Sequence, residues 1–202
     1  MRTLVKNYDT IIIGAGAAGL MCAIEAGKRG QSVLVLEKSN KAGRKILISG
    51  GGRCNFTNLH TEPDCYLSNN NHFCKSALSR YTQWDFISLV DKHELGWTEK
   101  TLGQLFCDQK ATAIVDMLLT ECKQAGVDIQ LNCDVESVTK EEQFFIQTNI
   151  TNYHSNKVVI ATGGPSIPKM GATDFALRLA KQFNLKTHDF VAALVPFTFP
   201  EE

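Results

Sequence analysis

The 202-residue chain has no surplus of charge, because Lys plus Arg and Asp plus Glu both number 21. Without a global basic or acidic field it does not gather nucleic acid or acidic lipid by charge alone, so any anion must be held locally. No apolar run approaches the roughly 20 residues of a membrane-spanning helix. Met1 to Asp9 carries Arg2 and Lys6 but lacks the apolar core and cleavage site of a secretory signal. The seven cysteines (Cys22, Cys54, Cys65, Cys74, Cys107, Cys122 and Cys133) are odd in number and scattered, with no Cys-x-x-Cys pair. That spacing argues against a disulfide framework and a structural zinc site, and the five dispersed histidines add no metal-ligand pattern. Repeats and low-complexity tracts are also missing. These absences lead to the expectation of a cytoplasmic globular protein with reduced thiols and a small-molecule substrate. No metal, no nucleic-acid partner and no membrane partner are expected.

What is present centres on Asp9 to Lys38. Thr10-Ile11-Ile12-Ile13 reads as a strand apolar on both faces, the pattern of a covered parallel strand. Gly14-Ala15-Gly16-Ala17-Ala18-Gly19 turns into a helix whose Ala17, Leu20, Met21 and Ile24 fall at helical spacing. Gly27 and Gly30 sit where left-handed backbone would let the chain leave that helix. Val33 to Leu36 is a second apolar strand, placed beside the first by a right-handed crossover.

Further along, Ser39 to Asn58 lacks a helical stripe and reads as a glycine-rich, basic loop. Thr61 to Asn71 is polar and turn-rich, and a helical excursion is expected over about 72–107. Within it, Phe73 to Tyr81 and Gln83 to Lys92 carry helical signals, and Phe86, Leu89 and Val90 form a stripe. Ala111, Ile114, Val115, Leu118 and Cys122 recur at helical spacing up to a stop at Gly126. Val127 to Leu131 alternates as a strand. Val135 to Val138, Phe144 to Thr148 and Asn149 to Tyr153 suggest a small antiparallel meander. Lys157 to Ala161 returns as a buried strand ending at Thr162-Gly163-Gly164, and Asp174 is placed to cap a helix carrying Ala176, Leu179, Ala180 and Phe183.

In Gly14-x-Gly16-x-x-Gly19 each glycine has its own task. The first makes the tight turn, the second lets a pyrophosphate approach the backbone, and the third lets helix pack closely on strand. Amides at the helix start, bearing roughly half a positive charge, would face the phosphates. Glu37, at the end of the next strand, can accept hydrogen bonds from ribose hydroxyls and would oppose a ribose 2′-phosphate. FAD or NAD is therefore expected in this site rather than NADP.

Three stretches together resemble a bacterial flavoprotein family. They are Gly14 to Glu37, the run Gly43 to Asn58 with its Ser-Gly-Gly-Gly-Arg-Cys-Asn core, and Val158 to Gly164. The family is usually labelled NAD(P)/FAD-dependent oxidoreductase (HI0933-like) and includes proteins described as aminoacetone oxidase and bile-acid 4,6-reductase. The resemblance implies an α/β, three-layer, Rossmann-like FAD/NAD(P)-binding domain with a parallel sheet and a small meander over residues 1–191. Residues 192–202 would begin a crossover to a substrate domain that this chain lacks, along with the C-terminal completion of the FAD domain.

The cofactor implied is FAD, with NADH or NADPH as a transient reductant docking directly against the flavin. The implied cofactor contacts in the first motif are Gly14, Gly16, Ala17, Ala18, Gly19, Glu37 and Lys38. In the second they are Arg44, Lys45, Ser49, Gly50, Gly51, Gly52, Arg53, Cys54 and Asn55, and beyond it Val135, Ala161, Thr162, Gly163 and Gly164. Arg44, Lys45 and Arg53 would neutralise phosphate, and Ser49, the glycine amides and Asn55 would hydrogen-bond phosphate, ribityl or ring atoms. Cys54 suits packing or cofactor lining better than redox chemistry, since no second thiol lies at close spacing. No catalytic residue is identified. The expected function is hydride transfer through flavin N5 by an oxidoreductase. An NAD-dependent dehydrogenase and a non-catalytic flavin-binding fragment are the alternatives.

Overall fold

The computed structural model describes residues 5–167, 171 and 173–191. Strand β1 (Lys6–Ile13) passes through the glycine turn into helix α1 (Ala17–Lys28) and strand β2 (Val33–Leu36), which runs parallel to β1 with Leu36 beside Ile13. The two uniformly apolar strands divide their side chains between two cores. Ile12, Val33 and Val35 face Leu20, Ala23 and Ile24 of α1 and Ile114, Val115 and Leu118 of helix α5 (Ala111–Gln124). Ile11, Ile13, Leu34 and Leu36 belong to the opposite core. Ile11 and Ile12 are fully buried, each contributing about 1.5–3 kcal/mol by removal from water.

All five apolar positions expected on α5 are buried. The chain then adds edge strand β6 (Asp128–Gln130), parallel to β2, and the strands β7 (Val135–Lys140), β8 (Phe144–Thr148) and β9 (Asn152–Ile160). The sheet order is β6-β2-β1-β9-β8-β7. Val138, Ile146 and Tyr153 from the meander join the second core together with Leu179 of helix α6 (Phe175–Gln182). Helices α1 and α5, the six-stranded sheet and α6 make the three layers of an α/β Rossmann-like fold.

Several elements differ from the sequence expectation. Two strands at the meander's end are one, because β9 pairs antiparallel with β8 through its first half and parallel with β1 along its length. Ser155 sits buried in its middle without breaking it, since its hydroxyl donates to the Lys157 carbonyl at 3.0 Å. Ser39 to Asn58 is not a plain loop. It contains helix α2 (Arg44–Ile48), a 3-10 turn (Ser49–Gly52) and strand β3 (Asn55–Asn58). Buried Ala42 and Ile46 hold α2 to the α5 side of the core, so a helix too short to announce itself by periodicity is held by tertiary packing.

The excursion is helical only through α3 (Lys75–Arg80) and α4 (Gln83–Lys92). Its second half forms β4 (Trp97–Glu99) and β5 (Gln104–Cys107), which join β3 in a separate antiparallel sheet ordered β3-β5-β4. Gly27 does not serve helix exit: a Cβ there would lie 2.4 Å from the Ala125 carbonyl, so it permits close packing at the end of α5, while Gly30 (φ +75°) makes the left-handed turn. Asp174 does not cap α6 with its side chain; its carboxylate accepts from Arg178 instead. The crossover expected at 192–202 lies outside the described residues.

One buried acid ties the excursion to the core. Glu121 of α5 is 1% exposed and receives Lys92 at 2.6 Å, His93 at 2.8 Å and Lys28 of α1 at 3.1 Å. The Lys92 hydrogen bond, with those of His93 and Lys28, outweighs the cost of burial and holds its carboxyl down at about 2.

Candidate dinucleotide site

The parallel strands end level with one another: Ile13 lies beside Leu36 and Ile160, and Leu36 beside Gln130. The segments that follow them, at Gly14, Glu37, Leu131 and Ala161, therefore gather at the carboxyl edge of the sheet, where doubly wound folds bind ligands. The glycines of the first turn differ in their surroundings. Gly14 has φ +109°, and a Cβ on it would sit 2.5 Å from the Ala161 carbonyl oxygen; one on Gly19 would sit 1.9 Å from the Gly14 carbonyl oxygen. Both are demanded by packing. Gly16 is different, with nothing within 4 Å of its would-be Cβ. It opens onto free space at the start of α1, where no side chain caps the amides and no acidic residue stands in the first turn. An uncapped helix start beneath an open glycine fits a pyrophosphate.

Glu37 is positioned by the protein before any ribose arrives. One carboxylate oxygen accepts from the Ala15 amide at 2.8 Å, and the other accepts from the Ser39 amide and hydroxyl at 2.8 and 2.7 Å. Ser39 is thus a site residue that sequence reasoning missed; a hydroxyl two residues after a strand-end acid is the signal that could have shown it. The Ala15 amide, taken by Glu37, is correspondingly turned to the carboxylate. Residues 132–135 flank the same corner. Asn132 and Cys133 donate to the Ser39 and Glu37 carbonyls, and Lys38 pairs with Asp134 at 2.8 Å. Val135 follows immediately, half-buried against the second core.

The second glycine segment meets the first turn at one point and the third at another. The Gly43 amide donates to the Ala15 carbonyl at 2.8 Å. Lys45 reaches the third turn, donating to Ser166 Oγ at 3.0 Å and the Gly164 carbonyl at 3.4 Å. Gly50 and Gly51 are left-handed; a Cβ on Gly50 would strike Phe106, whereas Gly51 faces open space. Thr162, Gly163 and Gly164 continue directly from β9 beside the first turn.

Other expected contacts are drawn away by the protein itself. Arg53 pairs with Asp108 at 3.5 Å. Ser49 donates to the Ile46 carbonyl. Asn55, with its amide nitrogen toward the strand, donates to the Leu105 and Thr57 carbonyls. Cys54 is buried in the first core, in left-handed backbone. The close thiol that its sequence spacing lacks is supplied by Cys107, whose amide donates to the Cys54 carbonyl. Burial pushes both thiols up, which leaves them poor nucleophiles and agrees with a packing role for Cys54.

Residues 8–192 match the model of the HI0933-like protein Rossmann domain. The chain belongs to that family. A ribosomal RNA dihydrouridine synthase of Escherichia coli (strain K12) is 55% identical over 96% of this chain and 49% of its own length. A 3-dehydro-bile acid delta(4,6)-reductase of Clostridium scindens is 27% identical over 91% of this chain and 46% of its own length. Among solved structures, glycine oxidase from Geobacillus kaustophilus superposes with a TM-score of 0.54 at 17% identity, covering 90% of this chain and 60% of that one. The chain spans about half the length of the curated relatives it matches.

The fold is of the Rossmann type, and these relatives are enzymes. One expectation is overturned. A small-molecule substrate with no nucleic-acid partner conflicts with a relative at 55% identity whose name places its action on ribosomal RNA. Zero net charge is a sum over the whole chain and does not bar a local surface from meeting RNA. Among the described residues, no helix is long and apolar enough to cross a membrane.

Proposed function

We propose that this chain is the FAD-holding part of a cytoplasmic flavoprotein that makes dihydrouridine in ribosomal RNA, with NADH or NADPH as the reductant. The observation that carries the proposal is the 55% identity to a ribosomal RNA dihydrouridine synthase across 96% of the chain. The open, uncapped glycine turn at Gly16 supports it independently as a place for a dinucleotide.

When bound, FAD supplies hydride chemistry at flavin N5, and dihydrouridine differs from uridine by a hydride and a proton added across C5=C6. The chain's own residues hold and orient the cofactor. The amides of Ala17, Ala18 and Gly19, opened by Gly16, take the pyrophosphate. Glu37, fixed by Ala15 and Ser39, turns its remaining lone pairs to the adenosine ribose, and Lys38 and Val135 border the adenosine. Lys45 holds the second glycine segment to the third turn through Gly164 and Ser166. Arg44 adds positive charge beside that segment, while Arg53 is held by Asp108.

The test has two stages. The encoded protein is desalted after incubation with FAD and its visible spectrum recorded; a colourless protein would sink the cofactor assignment. The loaded protein is then given unmodified ribosomal RNA transcripts with NADH or NADPH, and the nucleosides are analysed by mass. Appearance of dihydrouridine with loss of uridine is expected. Flavin-loaded protein that leaves every uridine unchanged with both reductants would overturn the substrate.

A further inference from the structure

The excursion carries a surface that the dinucleotide site does not use. A groove of about 920 Å³ lies there, lined by Tyr66, Leu67, Asn69, Asn71, His72 and Lys75, with Asp64 as the acid on its wall. Large apolar side chains stand in solvent along the same stretch: Leu67 is 98% exposed, Phe73 78% and Tyr66 49%. From Cys65 to Trp84 the sequence has no Asp or Glu but contains His72, Lys75 and Arg80. Within this stretch the ionised side chains are Lys75 and Arg80, and the groove's own lining carries one ammonium, Lys75, and one carboxylate, Asp64.

The groove's wall is built by one set of polar side chains and left open by another. Ser68 Oγ accepts from the Asn70 amide and Asn70 Oδ1 accepts from the His72 amide, while Cys74 Sγ donates to the Pro63 carbonyl. These contacts set the loop. Tyr66, Asn69, Asn71 and Lys75 direct no side-chain hydrogen bond or ion pair to any described residue. An aromatic face, two side-chain amides and an ammonium group, all without internal partners, match the stacking surface, edge readers and phosphate contact by which proteins hold single-stranded RNA. The groove is also tied to the second glycine segment, because β3 runs from that segment into the excursion. Gln83 donates to the Leu59 carbonyl at 3.0 Å, and Phe56 packs on Phe86 with ring centroids 5.8 Å apart.

We propose that this groove binds a single-stranded segment of the substrate RNA. Tyr66 in the groove and exposed Phe73 in the same stretch of chain stack on bases, Asn69 and Asn71 meet base edges, and Lys75 with His72 meets phosphate. The proposal rests on the reading of this chain as part of a ribosomal RNA-modifying flavoprotein. It is tested with the FAD-loaded encoded protein and a fluorescent, uridine-rich single-stranded RNA, alongside the same RNA annealed to its complement.

The wild-type protein is expected to prefer the single strand. Tyr66→Ala with Phe73→Ala should weaken binding about 10-fold or more, and Lys75→Ala should flatten the dependence of log affinity on log salt by about 0.7. Both variants should keep the wild-type flavin spectrum, because the altered side chains lie outside the core. A variant with an intact flavin spectrum that binds the single strand as tightly as wild type overturns the groove, as does wild-type preference for the duplex. Dihydrouridine formation on ribosomal transcripts is scored separately in the same preparations, so loss of the groove and loss of the ribosomal RNA reading give different results.

Discussion

From Lys6 to Glu37 the chain builds two parallel strands and their crossover helix from residues that are neighbours in sequence. From Leu59 to Cys107 it builds short helices and strands whose partners lie far away. The first region is buried on both faces of its strands. The second rests on the core through Ile87, Val90, Cys107 and the Glu121 cluster, buries Leu105 and Phe106, and leaves Leu67, Phe73 and Trp84 exposed. In the first region Gly14 and Gly19 let backbone pack against backbone, whereas in the second exposed side chains stand clear of the core.

The largest expected effect lies within the glycine turn. Gly19→Val places side-chain atoms against the Gly14 carbonyl and should cost about 4 kcal/mol, read as a lower midpoint in urea unfolding. Next comes the link between the regions. Glu121→Gln should cost about 3 kcal/mol at pH 7, the equivalent of a carboxyl held at about 2 rather than 4.5. Because the folded-state value is the lower one, this stabilisation is complete above about 4.5 and fades as pH falls toward 2. The gap between wild type and Glu121→Gln should therefore close over that window; a gap independent of pH would show that the acid's charge is not what joins the regions.

Gly16→Val sharpens the contrast inside one motif. Its backbone is extended and its surroundings empty, so stability should be unchanged while FAD affinity falls about 100-fold, close to 3 kcal/mol of binding. Equal flavin retention would move the pyrophosphate elsewhere. Thr82→Ala removes half of the capping box at the start of α4, where Thr82 and Asp85 cap each other's backbone; about 1 kcal/mol should be lost. Tyr66→Ala and Phe73→Ala should each change stability by less than about 0.5 kcal/mol, as thermal unfolding can check. A larger loss would mean that the excursion's aromatics belong to a core.

The glycine turn, its acidic partner and the α5 stripe were legible because each depends on residues within a turn or two of one another. β4 is three residues long and β3 and β5 four each, too short for alternation to register, and their pairing joins residues such as Asn55 and Phe106. The expectation about nucleic acid failed for a related reason. Net charge averages over the chain, whereas the acid-free stretch from Cys65 to Trp84 matters only where its side chains stand together.

The family resemblance implied FAD; by itself, the sequence determined the βαβ unit and the close packing at Gly14 and Gly19. Local periodicity and steric demands on single residues are enough for these. Tertiary structure alone decided that Lys45 closes onto Ser166, 121 residues away, that Arg53 turns to Asp108, and that Cys54 is packed beside Cys107 rather than presented to a ligand. It also gave Glu121 three basic partners from two other helices. Such contacts form only after the chain has closed long loops, and no spacing along the sequence records which distant groups the closure brings within hydrogen-bond reach.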